Sequence, residues 1–340
     1  MKLLLGVIDA DLRALALVVA LALLGACLLR PELLLSRTLY RHLIVFDITQ
    51  SMNVADVGEG PAERFDVNGV AIPYTRLDLA KHNVADLLED YPCGSSVGLA
   101  LFTGHRSFVL FTPVEVCRHY GELRQLVAAI DWRMGWEARS EIVKGVHSAL
   151  SAAPASGPDT AIVVLTDGHE APPLNPEYHP SFRGVPGEIA GLIAGMGGSV
   201  PVPIPKLDQY GRKMGYFAKD EVLQVDTYSL GRYTSVREAL SGVASTSLQE
   251  RIASGTEHLS SLREAHLRDL GAKLELHYAR ANDVNDLAEA LFNPRLGFTR
   301  EVSADIRWLL GLAALALLIL AHARRPRRAR QSALFTSWRT

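Results

Sequence analysis

The chain has 340 residues, 48% hydrophobic and 21% charged, with a formal net charge of −2. That length allows one large domain or two small ones, and the composition is globular, with more apolar sequence than a purely soluble protein needs. The stretch Arg324–Arg330 is strongly basic, so the remainder is mildly acidic, and a domain of that sign has no reason to favour nucleic acid.

Near the N-terminus, Ala14–Leu29 is almost wholly apolar, and Trp308–Ala323 repeats this near the C-terminus. Each falls just short of the roughly 17–25 residues that cross a bilayer, and Arg13 and Arg307 can extend the spans by snorkelling. Both runs are apolar all round, so they are expected to be transmembrane helices. The basic cluster after the second run stays in the cytoplasm by the positive-inside rule. The expected layout is a cytoplasmic N-terminus (1–13), a span (14–29), a folded domain (41–303), a second span (306–323) and a basic cytoplasmic tail (324–340). The domain then faces the periplasm from a bacterial inner membrane. An alternative for the first span is a cleaved lipoprotein-type signal ending at Leu24-Gly25-Ala26-Cys27. Cys93 and Cys117 either pair in an oxidising compartment or remain two thiols.

Between the spans, strands and helices alternate. His42–Phe46 reads as a buried strand ending at Asp47. Thr75–Tyr91 is helical, with Leu77, Ala80, Val84, Leu87 and Leu88 on one face and Pro92-Cys93-Gly94 stopping it. Ser96–Phe102 and Ser107–Phe111 are strands around the tight turn Thr103-Gly104-His105-Arg106. Helices follow over Gly121–Ile130 and Ile142–Ala152. Ala161–Leu165 is hydrophobic throughout, as a central parallel strand should be. Ile189–Ala194 is a weaker strand. A helix over His258–Leu270, a strand over Lys273–Tyr278 and a helix over Val284–Phe292 complete the series. This alternation predicts an α/β fold, a doubly wound and mostly parallel sheet covered on both faces. Ligands in such folds sit beyond the carboxyl ends of the strands.

The two best strands end in acids. The first runs into Asp47-Ile48-Thr49-Gln50-Ser51, the second into Thr166-Asp167-Gly168, and Ser140 opens a helix between them. Two carboxylates and three hydroxyls are the oxygen set that a hard cation such as Mg²⁺ takes. Neutral hydroxyls beside such an ion leave it electron-poor, able to accept one more carboxylate from outside.

This pattern resembles the metal-ion-dependent adhesion site (MIDAS) of von Willebrand factor A (vWA) domains, a Rossmann-like fold. The resemblance implies that Asp47, Thr49, Ser51, Ser140 and Asp167 hold Mg²⁺ (or Mn²⁺ or Ca²⁺). Thr49 stands where that family has Ser, and Ser140 where it has Thr. Ser51-Met52-x-x-Ala55-Asp56 and Arg76-Leu77-x-x-Ala80-Lys81 look like the membrane-anchored vWA proteins of bacterial aerotolerance (Bat) operons, as do Leu110–Pro113 and Val202–Pro205. Similar layouts occur in methanol dehydrogenase gene clusters. The implied role is binding, not catalysis: a protein partner supplies an acidic residue to the metal during assembly of a periplasmic or membrane complex. Other vWA or membrane proteins of the same operon are the implied associates. Rival readings are a metal-independent anchor with a vestigial site and a metal-dependent hydrolase. No Gly-x-Ser-x-Gly elbow or Walker loop supports catalysis. His169-Glu170 is expected at the rim that meets the partner, not as a zinc site, and Pro172–Pro205 is expected to surround the metal face.

Overall fold

A computed structural model of the chain describes residues 2–58, 71–175, 177, 179–226 and 251–323. Most of the insertion between Val57 and Tyr74, and the basic tail, lie outside the described residues. The chain divides into two compact units.

The first unit, residues 1–37 and 300–340, contains helices α1 (Lys2–Leu28) and α7 (Arg307–Ala323). Both apolar runs are therefore helical. Among the described residues, however, no helix is long and apolar enough to cross a membrane. Helix α7 has 17 residues, about 25 Å at 1.5 Å per residue, against a hydrocarbon core of about 30 Å. The unit is nonetheless rich in exposed apolar side chains, among them Val18, Leu21, Leu28, Trp308, Leu312 and Ile319.

The second unit, Thr38–Thr299, carries the sheet. The sheet's strands are β1 (Glu32–Asp47, in this unit from Thr38 on), β2 (Ser96–Thr103), β3 (Arg106–Glu115), β4 (Ala161–Thr166), β5 (Gly191–Gly195) and β10 (His277–Arg280). They lie in the order β10-β5-β4-β1-β2-β3, and β11 (Gly297–Asp305) pairs with β1. The β1, β2, β4, β5 and β10 neighbours are parallel, and β3 returns antiparallel on the edge.

Period-two alternation decides which face each side chain serves. Ile44 and Phe46 of β1 point into one core with α2 (Arg76–Leu87), α3 (Tyr120–Ala129) and α6 (Val284–Leu291). Leu43 and Val45 point into the other with α4 (Ile142–Ala152) and α5 (Glu264–Leu274). Burial on both faces gives the central strands their unbroken apolar sequence. Each fully buried Phe or Leu there contributes roughly 1.5–3 kcal/mol.

Helix α2 starts where expected, because Thr75 and Asp78 form a reciprocal capping box. The expected helix over His258–Leu270 instead runs Glu264–Leu274, and the strand placed at Lys273 begins at His277. Residues Leu259–Ser260 belong to a short strand, β9, paired with β6 (Val202–Pro203), and β7 (Pro205–Leu207) pairs with β8 (Lys213–Tyr216). The cause is tertiary: Leu267, Leu270 and Leu274 all face the α4–α5 core, so the helix continues for as long as that stripe is buried. Glu275 in the left-handed conformation ends it. Cys93 and Cys117 are disulfide-bonded, joining the turn before β2 to the end of β3.

Candidate metal centre

Strands β1 and β4 are parallel neighbours, with Phe46 beside Leu165. Their carboxyl ends therefore bring Asp47 and Asp167 to the same end of the sheet, although 120 residues separate them in sequence. Both are fully buried. Oδ1 of Asp47 accepts from the backbone N–H of Thr49 at 2.9 Å and from its hydroxyl at 2.7 Å, and Oδ2 accepts from the Thr166 hydroxyl at 2.6 Å. The carboxylate thus shapes its own loop. Thr49 Oγ1 in turn lies 3.3 Å from Ser51 Oγ, so the two hydroxyls face the same point.

Ser140 arrives from elsewhere. Its N–H donates to the Ala171 carbonyl at 2.9 Å and its carbonyl accepts from Ala171 N–H at 2.7 Å. Gly104 in the β2–β3 turn clamps the other side, through the Arg139 carbonyl and Glu141 N–H. The Ser140 hydroxyl donates to the His169 carbonyl at 2.7 Å. Thr49, Ser51, Ser140 and His169 line one cavity of about 270 Å³. Ile204, Phe217 and residues Asp220–Leu223 also line it. Asp47 stands behind Thr49, to which it is bonded, and neither it nor Asp167 lines the cavity.

The electrostatics of the two acids differ. Burial and the neighbouring charge of Asp167 push the Asp47 carboxyl up to about 7. Asp167 is buried to the same degree, yet the Arg76 guanidinium beside it holds it below the usual carboxylate range. Arg76 donates from Nη1 to Asp167 Oδ2 at 2.5 Å, and Ser260 Oγ donates to the same oxygen at 2.9 Å. The other oxygen of Asp167 accepts from His169 N–H at 3.0 Å. Two buried carboxylates, only one with a fixed countercharge, form a place where added positive charge is favoured.

All five expected ligands gather at this end of the sheet, and the donor set suits a hard divalent cation. Arg76, Asp56 and Ser260 are additional. Asp56 and Arg76 stand in the motif that carries the family resemblance, but Arg76 reads from sequence as an ordinary first-turn residue of an amphipathic helix. Nothing in the residues around Ser260 signals its part.

Two expectations change. His169 lines the cavity but is buried, and Glu170 is buried and does not line it. Glu170 accepts from Val143 N–H at 3.0 Å and so caps α4, while His169 Nε2 lies 3.1 Å from Glu257. A helix N-terminus leaves unpaired N–H groups, and Glu170 is drawn inward to satisfy one. Likewise Leu174, Phe182 and Ile189 pack against the α4–α5 core, so the first half of Pro172–Pro205 covers that face and not the site.

No protein-family model and no curated protein matches the chain. Solved structures do. The chain is similar to an aerotolerance-related membrane protein from Bacteroides fragilis. That pair is 17% identical with a TM-score of 0.43, and the match covers 74% of this chain and 95% of the other. It is also similar to the PilB minor pilin from Streptococcus sanguinis, at 14% identity and a TM-score of 0.37, covering 76% of this chain and 61% of the pilin. At that distance the site's chemistry has to come from its own residues.

Proposed function

We propose that the protein is a membrane-anchored binding module, not an enzyme, that grips an acidic group on a partner protein through a divalent metal. The observation that carries this reading is convergence: Thr49, Ser51 and Ser140 open into one cavity, with Asp47 bonded to Thr49 from behind. Thr49, Ser51 and Ser140 would hold the cation directly, and Asp47 and Asp167 would balance its charge. Bound Mg²⁺ supplies a Lewis-acidic position that an incoming carboxylate can fill. The chain's own part is to hold three neutral hydroxyls in place and to keep the carboxylates one layer back, so that the position stays attractive to an anion.

The exposed apolar side chains of α1 and α7 support anchoring, because water does not favour such a surface. The Cys93–Cys117 disulfide supports an oxidising compartment for the domain. Two spans with the domain in the periplasm join these two points. Thiol labelling of single cysteines placed at either end of each helix, in intact cells, checks that arrangement.

A metal-independent structural role is the second reading. It is favoured by the hydrogen bonds that both carboxylates already make within the chain. The two separate on thermal unfolding of the full-length chain with EDTA and with Mg²⁺ or Mn²⁺, beside Asp47→Ala. A cation at about 100 times its dissociation constant stabilises the fold by roughly 2.7 kcal/mol. A shift in wild type alone supports the metal module; the absence of any shift supports the structural role.

A further inference from the structure

Arg76 is 0% exposed, and its guanidinium is fully engaged. Nε and Nη2 grip Asp56 as a fork, at 2.8 and 2.5 Å. Nη1 reaches Asp167 at 2.5 Å, Ser260 Oγ at 2.7 Å and the Ser51 carbonyl at 3.3 Å. One side chain therefore ties the loop after β1, the end of β4 and strand β9. Its seat is cut to size: a Cβ on Gly197 would lie 2.5 Å from Arg76 Nε, and Gly198 N–H donates to Asp56 at 3.0 Å. A lysine could not make this planar, three-way contact.

A structural ion pair would need only Asp56. Here the same cation also holds Asp167, a carboxylate assigned above to balancing a divalent ion. Once Asp47 is ionised, as cation binding requires, three carboxylates (Asp47, Asp56 and Asp167) against one guanidinium carry two negative charges, the charge that one divalent cation cancels. Because the guanidinium and two of the carboxylates are fully buried, solvent screens them little and each charge is felt at the site.

We infer that Arg76 is a positioning residue that sets the cation affinity of the site, its charge opposing the metal's while Asp56 attenuates it. This rests on the metal reading given above. Arg76 aims Asp167 and holds the cluster together without metal, at the expense of tight metal binding. The cation is then held loosely enough to depend on the partner's carboxylate.

Opposite signs test this. Mn²⁺ binding to the full-length chain is measured by electron paramagnetic resonance and calorimetry, with thermal unfolding as a check on folding. Asp56→Asn removes a negative charge and leaves Arg76 paired with Asp167 alone, so Mn²⁺ affinity should fall by about tenfold. Arg76→Gln removes the positive charge, so affinity should rise by about tenfold even though the fold is less stable. Arg76→Lys, which keeps the charge and loses the fork, should lower stability while affinity stays near wild type. A merely structural network predicts that Asp56→Asn and Arg76→Gln both weaken Mn²⁺ binding or that neither changes it; either result overturns the inference. If Arg76→Gln does not fold, an unchanged affinity in Asp56→Asn suffices to overturn it. Absence of Mn²⁺ binding in wild type removes the metal reading itself and this inference with it, whereas binding in wild type with same-sign variants removes only the inference.

Discussion

The hydroxyl of Thr49 donates to Asp47 at 2.7 Å, two residues away. That bond turns the end of a buried strand into a loop whose hydroxyls face the cavity, and it leaves the threonine lone pairs pointing away from the carboxylate. Thr49→Ser should retain the Mg²⁺-dependent rise in melting temperature. Thr49→Val, which keeps the shape and removes the oxygen, should lose it and should cost about 1–3 kcal/mol from the buried acceptor left short of a partner. Melting curves with EDTA and with Mg²⁺ check both.

The raised Asp47 carboxyl makes cation binding compete with a proton. With a folded value of about 7, above the ordinary carboxylate value, the stability contributed by the protonated form is present at low pH. It is lost as pH rises through about 7. Metal affinity should therefore increase between roughly pH 5 and 7 and level off above. Calorimetric Mg²⁺ titrations across that range test this; a flat profile would mean that Asp47 is already ionised without metal.

His42 is fully buried and shares a 2.7 Å hydrogen bond with Tyr91. Burial lowers its ring to about 3. Unfolding exposes it to its ordinary value of about 6.5, so stability present above 6.5 is lost as pH falls toward 3. His42→Gln should flatten the acid limb of a urea-denaturation series between pH 6.5 and 4. An unchanged limb would assign acid sensitivity to other groups.

Helix α4, which Ser140 precedes, lies so close to β2 that a Cβ on Gly145 would lie 2.2 Å from the Phe102 ring. Gly145→Ala would normally favour a helix by about 0.5–1 kcal/mol. Here it should destabilise by about 1–3 kcal/mol through overpacking. Pairing it with Phe102→Leu should recover part of the loss in chemical denaturation.

The disulfide between Cys93 and Cys117 closes a loop with a sequence separation of 24. Loop-closure entropy for that length predicts a loss of about 3.5 kcal/mol in Cys93→Ser/Cys117→Ser. Denaturation under non-reducing conditions measures it.

Much of this could be read from the chain alone. The apolar run Ala161–Leu165 became β4, and the helix expected from Thr75 begins at Arg76 as α2. The five oxygen-bearing residues could be named because acids and hydroxyls at strand ends are local, spaced signals: Asp47, Thr49 and Ser51 sit within one loop. Where α5 begins could not be read, because its length follows from the core it buries. The Arg76–Asp167 bond was equally invisible, since 91 residues separate the partners and only the crossing of β1, β4 and α2 brings them together. Sequence determined which chemistry is available at the ends of the strands. Tertiary structure decided which charge stands next to which, because a buried ion pair is chosen by three-dimensional proximity and burial, and neither is encoded by spacing along the chain.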